Sequence, residues 1–331
     1  MFAFIASRIL QAVPVLLAVG LIAFALFAYV GDPVTIILGQ DATDAQRRAL
    51  AHDLGLDRPF FVQYAHYLWS AAQGDFGISL RLAQPVSALI AERLPATLEL
   101  AVTASVLAFA VGVPMGVHAG IHRDSFVSRL FMVVSLIGVS LPTFVLGILL
   151  ILVFSVSLNW LPSFGRGPVV AVGSWWTTGF TSWAGIRALI LPAVTLGLFQ
   201  MTLIMRLVRS EMLEVLRTDY IRFARARGLT DRAIHFSHAL KNTLVPVITI
   251  IGLQFGGIVA FSLVTETVFQ WPGMGLLLVQ SVVSADIPVM SAYLLLIALL
   301  FVAINLTVDL LYFCVDPRLR ALGRRAETRG R

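Results

Sequence analysis

The sequence predicts an all-α membrane protein with six transmembrane helices and a folded external segment between the first two. Three observations support this fold class. Of 331 residues, 58% are hydrophobic and 13% are charged, whereas soluble domains carry about 25% charged residues. Apolar runs long enough to cross a bilayer recur along the chain. The basic residues concentrate in the polar stretches that would share one side of the membrane.

The first span is predicted at 9–30, a run of 22 residues without a charge. Arg8 precedes it and favours a cytoplasmic N-terminus. A cleaved signal peptide is the alternative, since Ala23-Phe24-Ala25 weakly resembles a cleavage site. The run is longer than the apolar core of a signal peptide, which is about 7–15 residues, so we interpret it as a membrane span.

The segment 31–99 is predicted to be external, because its five arginines are outnumbered by eight acids. Two helical patterns within it predict that it is folded. Thr43 and Gln46 have the spacing of a capping box at the start of a helix ending near Gly55. The stretch 59–73 is rich in aromatic residues at helical spacing. This pattern fits a helix lying against the outer headgroups or one packed in a small external core.

Five further spans are predicted, each without a Lys, Arg, Asp or Glu: 100–117, 130–158, 188–205, 244–265 and 287–308. Two of them carry pairs of glycines four residues apart, Gly112 with Gly116 and Gly252 with Gly256. Small residues at this spacing allow two helices to approach closely. We therefore expect these glycines to lie at helix–helix contacts inside the bundle.

The distribution of basic residues predicts that both termini are cytoplasmic. With six spans, one side of the membrane would hold 17 Lys and Arg, and the other side would hold seven. Cytoplasmic loops carry the excess of basic residues. The basic segment, defined as residues 206–243, would then face the cytoplasm, as would the basic tail at 314–331.

The basic segment holds eight Lys or Arg against four acids. Thr218 and Asp219 can cap a short helix whose apolar side is Tyr220, Phe223 and Ala224, and Gly228 can end it. Thr230 with Asp231 can cap a second helix, running through Ala233 and Ile234 toward Asn242. Two short helices joined at a glycine suit docking onto a soluble partner. The alternative is a loop that is basic only because it is cytoplasmic.

Several kinds of chemistry have no signature in the sequence. Lys241, the single lysine, is not preceded by glycine, so no phosphate-binding loop is predicted. Neither Gly-x-Ser-x-Gly nor His-Glu-x-x-His occurs. His235 and His238 have a spacing that a metal could use, but no further donors accompany them, so we expect no metal site. Cys314 is interpreted as a packing residue. Because the basic residues lie at span ends, nucleic-acid binding is not expected.

The basic segment resembles the cytoplasmic signature of bacterial ABC importer permeases of the dipeptide/oligopeptide (peptide/nickel) family, in the B-type subunit. The resemblance is carried by DYIRFARARGL at 219–229 and HALKN at 238–242. Further motifs continue it in order along nearly the whole chain, at 8–14, 31–33, 54–59, 74–77, 95–97, 252–256, 266–275 and 309–317. The general ABC signature begins Glu-Ala-Ala, whereas Arg222-Phe223-Ala224 stands here, as in the peptide branch. The usual Pro-Gly-Asp-Pro is Val30-Gly-Asp-Pro.

The resemblance implies a type I ABC importer permease that is not itself an enzyme. A second, homologous permease would complete a heterodimer. Two ATPase subunits would bind ATP and Mg²⁺, and an external solute-binding protein would deliver a small peptide. Coupling to the ATPase would involve Tyr220, Arg222, Ala224, Gly228, Leu229, His238 and Asn242. Gln254, Thr265 and Glu266 are candidates for the substrate path, although roles in helix packing would explain them equally well.

Two alternatives remain open at this stage. Within the family, nickel complexes, opines or glutathione could replace peptides, and the Trp-rich connection at 159–187 is where substrate preference could differ. From another class, the chain could be a self-sufficient channel or ion-coupled carrier. The predicted spans hold no carboxylates, which ion-coupled carriers often place at the midplane.

The predicted organisation has three regions: the first span with the external segment at 1–99, the permease core at 100–313 and the tail at 314–331.

Overall fold

The computed structural model describes residues 2–30, 34, 38, 39, 42–53 and 57–315. Nearly all of the predicted basic tail lies outside the described residues, as do 31–33 and 54–56 of the motifs above. The helices, in chain order, are α1 (Phe2–Ala25), α2 (Asp44–Asp53), α3 (Phe60–Ala72), α4 (Val86–Ile121), α5 (Phe126–Ser140), α6 (Thr143–Leu150), α7 (Trp183–Val215), α8 (Asp219–Ala226), α9 (Leu240–Val268), α10 (Met274–Val283) and α11 (Ile287–Val315).

Three π-helical turns and one small hairpin complete the described elements. The π-turns are Leu26–Val30, Ile151–Ser157 and Ala233–Ala239, and each continues a neighbouring α-helix. Strands β1 (Val170–Val172) and β2 (Trp176–Thr178) pair in the connection before α7. The protein is therefore all-α in its fold class, with one hairpin in a connection.

Among the described residues, four helices are long and apolar enough to cross a membrane: Ile5–Ala28, Val86–Ile121, Trp183–Val215 and Ile287–Leu310. Phe126–Ser140 and Thr143–Ser157 form a bent pair that adds a fifth if they are counted as one span. Gln254–Val268 and Met274–Val283 are shorter apolar helices. The count of six spans remains a prediction.

The predicted span at 130–158 is divided in the structure. Its two helices are bent by more than 40° at a short break. Pro142 precedes α6 with ψ at 140°, an extended conformation that is incompatible with a continuing helix. Proline lacks the backbone N–H that an uninterrupted helix would need, and it disfavours a helical conformation in the residue before it. The helix boundary therefore follows from a single residue.

Contacts divide the chain into two compact units. One comprises 1–96, 171–177 and 272–303, and the other comprises 97–170, 178–271 and 304–331. The division into 1–99, 100–313 and 314–331 stays a prediction. Helix α4 begins at Val86, so Glu92 and Glu99, placed by the sequence in the external segment, belong to this helix.

In the first unit, α3 packs against α1 through aromatic residues. Phe24 is within 6 Å of the rings of Phe60, Tyr64 and Tyr67, and the Tyr64 hydroxyl donates to the Leu17 carbonyl at 2.6 Å. The opposite side of α3 is exposed at Phe61 and Trp69. One face of this helix is thus in a core contact, and the other is free for lipid or a partner.

The predicted capping box at the start of α2 is confirmed. The Thr43 N–H donates to Gln46 Oε1 at 3.0 Å, and the Gln46 N–H donates to Thr43 Oγ1 at 3.4 Å. Both bonds join residues three apart, so the local sequence is sufficient to specify them.

In the second unit, α4 packs against α7 along a row of glycines. A Cβ at Gly112 would lie 2.9 Å from the Met201 carbonyl oxygen, and one at Gly116 would lie 2.6 Å from that of Met205. Gly120 continues the row against Met212. The predicted role of Gly112 and Gly116 in close helix packing is confirmed. Gly252 of α9 likewise contacts Val308 of α11.

Candidate functional site

The basic segment is mostly helical and continuous with the membrane helices on both sides. Helix α7 runs beyond the predicted span end to Val215, so Arg206, Arg209 and Glu211 lie on a helix. Thr218 precedes α8 as predicted, but its hydroxyl donates to the Val215 carbonyl at 2.6 Å and makes no capping bond to α8. The threonine therefore completes the end of α7.

Gly228 ends α8 as the sequence predicts. Its φ of +79° is in the left-handed region, where glycine pays no Cβ penalty. The Gly228 N–H donates to the Arg225 carbonyl at 2.9 Å, and the Leu229 N–H donates to the Ala224 carbonyl at 3.3 Å. These two bonds are the pair that defines a Schellman motif.

The second helix of the segment begins after Thr230. Its hydroxyl accepts from the Ala233 N–H at 3.4 Å, as the predicted cap requires. The helix was expected to run toward Asn242. Instead it passes through the π-turn Ala233–Ala239 and continues as α9 to Val268. A movement of this part of the segment would therefore act directly on α9.

The predicted apolar face of α8 is partly wrong. The structure buries Ile221 with Ala224, while Tyr220 and Phe223 are 41% and 63% exposed. Residues 221 and 224 are three apart and share one side of a helix, whereas 220 and 223 share the next side. The Arg227 guanidinium lies over the Phe223 ring at 5.6 Å from its centroid. Phe236, which the sequence did not single out, is also 54% exposed.

The buried face of the segment joins α4, α7 and α9 in one apolar cluster. Ile221, Ala224 and Ile234 pack with Val208 and Met212 of α7. Ala108 and Val117 of α4 and Val247 of α9 belong to the same cluster, and Leu229 packs against it. The segment is thus fixed to the ends of α4, α7 and α9 on one side and presents aromatic side chains on the other.

Three of the predicted coupling residues contact one another. The Asn242 amide donates to the Tyr220 hydroxyl at 2.7 Å and to the His238 carbonyl at 3.3 Å. These bonds tie α8 to the start of α9. Arg222 is exposed and pairs with Asp219 at 3.3 Å, an i,i+3 pair worth only a few tenths of a kcal/mol, about 0.3. The coupling role of these residues remains a prediction.

His235 lies in the π-turn Ala233–Ala239 and lines a cleft together with residues from the end of α4. Burial lowers the pKa of its imidazole below the ordinary value, and the positive charges of Arg225 and His122 lower it further, while Asp231 opposes them. Among the described residues, no group of three His, Cys, Asp or Glu side chains is placed to hold a metal ion. Because its pKa is lowered, the His235 imidazole is expected to be neutral at neutral pH.

Two of the three candidate path residues are buried within the chain. Glu266 is 0% exposed, and its Oε1 accepts from Thr97 Oγ1 at 2.7 Å and from Ser262 Oγ at 3.1 Å. Thr265 is buried beside it, whereas Gln254 is half-buried in α9. The Glu266 carboxyl thus connects α9 to α4. A role of Gln254, Thr265 and Glu266 in the substrate path remains a prediction.

An ion pair that the sequence did not suggest lies near these residues. Arg166 Nη2 and Glu99 Oε2 are 2.6 Å apart, and the two side chains are 6% and 3% exposed. The Gly179 N–H also approaches Glu99 Oε2 at 3.5 Å, and the Gly165 N–H donates to the Phe269 carbonyl at 2.9 Å. These contacts hold the connection between α6 and α7 to α4 and to the end of α9.

The chain is similar to known transport proteins along almost its full length. Residues 112–321 match the family model described as binding-protein-dependent transport system inner membrane component, and residues 1–101 match the N-terminal model of such membrane components. The dipeptide transport system permease protein DppB of Escherichia coli K12 is 40% identical over 336 residues, covering 97% of this chain and 99% of the relative. DppB of Alkalihalophilus pseudofirmus is 38% identical over 337 residues, covering 97% of this chain and all of the relative.

A solved structure shares the fold. The chain matches a structure of the MetNI methionine ABC transporter in an inward-facing conformation, with a TM-score of 0.55 and 20% identity. The match covers 69% of this chain and 96% of the other chain. At this identity the likeness supports the fold of a type I ABC importer permease. With the family models and relatives above, the chain belongs to the family of binding-protein-dependent transport system inner membrane components.

Proposed function

We propose that this chain is a permease subunit of an ATP-driven importer that carries small peptides across the bacterial inner membrane. The two relatives named above are dipeptide permeases and align over 97% of the chain. Because both relatives are dipeptide permeases, we expect the cargo to be a di- or oligopeptide, or a similar solute such as glutathione. ATP and Mg²⁺ would bind to partner ATPase subunits, and this chain would perform no hydrolysis.

The observation that carries the proposal is the two-sided character of the basic segment. Its exposed side presents Tyr220, Phe223 and Phe236, and its buried side is anchored in the cluster of α4, α7 and α9. Exposed aromatic residues on a rigid support are typical anchors of protein–protein interfaces. The ATPase subunit is the partner that these side chains would contact, from the cytoplasmic side.

The anchoring suggests how ATP-driven closure would reach the membrane. When the ATPase subunits close, they would displace α8, and the buried residues Ile221 and Ile234 would pass that displacement to α7 and α4. The unbroken helix from Ala233 into α9 offers a second route. A second permease subunit would complete the cavity, and a solute-binding protein would deliver the peptide from outside. Gln254 remains the best-placed candidate for contact with the cargo.

A charge at Phe223, one of the exposed aromatic residues of the basic segment, tests the docking role. The chain would be co-expressed with candidate ATPase, second permease and binding-protein subunits from the same genome, and the ATPase that co-purifies with it would be quantified. Phe223→Asp should abolish co-purification and peptide uptake while the chain still folds, because Phe223 is 63% exposed. Phe180→Asp, at an exposed phenylalanine of the α6–α7 connection, is the matched control. Normal ATPase recovery with Phe223→Asp would contradict the proposal.

A further inference from the structure

Helix α3 carries a continuous exposed face that is almost entirely apolar. Its sequence, FFVQYAHYLWSAA, holds no Lys, Arg, Asp or Glu. The exposed side chains follow one stripe of the helix, at spacings of three and four: Phe61, Val62, Ala65, His66 and Trp69. Phe61 is 79% exposed and Trp69 is 68% exposed. An exposed apolar patch of this kind marks a surface that contacts a membrane or another protein.

The opposite face of α3 lies against the side of α1, a helix long and apolar enough to cross the membrane. The Tyr64 hydroxyl donates to the Leu17 carbonyl at 2.6 Å, and a Cβ at Gly20 would lie 2.7 Å from Leu68 Cδ2. Three rings from two turns of α3 converge on Phe24, with centroids at 5.3, 5.7 and 5.7 Å. Because successive turns meet the same residue of α1, the two helices cross.

The crossing point gives the depth of α3 along the span. The apolar stretch Ile5–Ala28 ends four residues after Phe24, which is about 6 Å at the rise of an α-helix. A helix that lies in the membrane interface has its apolar face about 5–10 Å below the headgroups. With 13 residues, α3 is about 20 Å long and too short to cross a hydrocarbon core of about 30 Å.

Both ends of α3 are polar, as a helix lying in the plane of the membrane requires. Asp57 and Arg58 precede the helix, Gln73 and Asp75 follow it, and all four are exposed. Charged groups at the ends can remain among the headgroups while the uncharged helix between them lies deeper. Trp69 on the exposed face is a residue type enriched at membrane–water interfaces.

The surroundings of the exposed face favour lipid over a soluble partner. The surface of α1 beside the crossing is also apolar and exposed, at Leu17, Leu21 and Ile22. This surface belongs to a stretch that could cross the membrane, and the exposed face of α3 continues it. A soluble protein approaching from water cannot reach a face at this depth, whereas acyl chains surround it.

We propose that the exposed face of α3 is inserted into the outer leaflet, at the boundary between headgroups and acyl chains. The partner of this face is the lipid surface itself. The choice of the outer leaflet follows from the predicted orientation of α1, and the lipid contact does not depend on the proposed function. Inserted in this way, α3 braces the outer half of α1 and holds the external segment against the membrane.

Spin labels on a matched pair of alanines test the insertion. Cys314, the one cysteine of the chain, would be replaced by serine, and the label would be attached through Ala65→Cys or Ala49→Cys. Both alanines are exposed, Ala65 on the proposed inserted face and Ala49 on the polar helix α2. The full chain would be reconstituted alone in liposomes of phosphatidylethanolamine and phosphatidylglycerol. Collisions with oxygen, which concentrates among acyl chains, should exceed those with a water-soluble nickel chelate at Ala65. The order should reverse at Ala49.

A charge on the same face should reverse the insertion. With the label at Ala65, Trp69→Glu should lower the ratio of oxygen to nickel collisions toward the value at Ala49, because a carboxylate is costly to move among acyl chains. Gln73→Glu adds the same charge at an exposed position just beyond the helix and should leave the ratio unchanged. Trp69 is exposed, so its variant should still fold in detergent.

Three results would overturn the proposal. Predominant nickel collisions at Ala65 in the otherwise natural chain would place the face in water. An immobile Ala65 label shielded from both reagents would show that two copies of the chain pack through this face. A change at Ala65 when a second permease or a binding protein is added would identify a protein as the partner. The measurement requires neither ATPase docking nor uptake, so failure of the proposed function would leave its result untouched.

Discussion

At the scale of single residues, two carboxyl groups are buried where α4 meets other parts of the chain. Glu266 accepts hydrogen bonds from Thr97 and Ser262, and Glu99 pairs with Arg166. A buried carboxylate is tolerated only when it is paired or hydrogen-bonded. These acids therefore act as attachment points between helices, and neither lies in one of the predicted apolar spans.

Replacing Glu99 by glutamine should destabilise the protein strongly. The change leaves the Arg166 guanidinium buried without its counter-charge, and breaking a buried pair in this way costs about 3–5 kcal/mol. Thermal unfolding of the detergent-purified chain would measure the effect. Asp124→Asn breaks the exposed Arg123–Asp124 pair and should change stability by about 0.5 kcal/mol or less. Equal melting temperatures for the two variants would contradict this account.

The depressed pKa of His235 predicts that acid loosens the basic segment. Burial favours the neutral imidazole in the folded state; Asp231 opposes this shift, while Arg225 and His122 act in the same direction as burial. The unfolded state therefore binds the proton more readily, so stability falls as the pH drops below the ordinary histidine pKa of about 6.5. Hydrogen exchange of residues 219–240 should accelerate between pH 7.5 and pH 5.5, after correction for intrinsic rates. His235→Gln should remove most of this pH dependence.

At the scale of elements, the close contact of α4 with α7 depends on glycine. A side chain at Gly116 would collide with the Met205 carbonyl and with Val208, at 2.6 Å from each. Backbone atoms cannot move aside as the end of a flexible side chain can. The two helices would have to separate along the whole row, which would also disturb the apolar cluster beneath the basic segment.

Gly116→Leu should therefore lower stability by about 1–3 kcal/mol, the usual cost of overpacking. Size-exclusion chromatography after a temperature series would give the change in melting temperature. Gly257→Ala is the matched control for Gly116→Ala made in parallel, since that glycine of α9 has its nearest atom, Gln254 Oε1, 3.9 Å from the added Cβ. A stable Gly116→Leu protein, or equal losses in the two alanine variants, would show that this contact is not limiting.

At the scale of the whole molecule, the proposed function makes the chain a gate that depends on a separate source of energy. In the proposed function, peptide accumulation requires the ATPase subunits. Liposomes containing this chain alone should accumulate no labelled dipeptide against its gradient, with or without ATP or an imposed proton or sodium gradient. The full complex with ATP and binding protein should accumulate it. Uphill uptake by the isolated chain would favour the self-sufficient carrier that the sequence left open.

Much of the local structure was predictable because it depends on residues near one another in the chain. Gly228 and the Thr43–Gln46 box depend on bonds between residues three to five positions apart, and both are confirmed. The buried face of α8 was predicted correctly at Ala224 and incorrectly at Phe223, because Phe223 and Ile221 are both apolar and only the neighbouring helices decide which is covered. The Glu99–Arg166 pair joins residues 67 positions apart, a separation at which no local pattern applies.

The sequence by itself determined the fold class, the family and the position of the basic segment. These properties depend on composition, on the lengths of apolar runs and on the order of short motifs, all of which are features of the linear chain. Only the tertiary structure decided which side of the segment is exposed and which partners Glu266 and Glu99 contact. Those features arise when distant helices pack together, because burial and pairing depend on neighbours that the chain brings close only by folding.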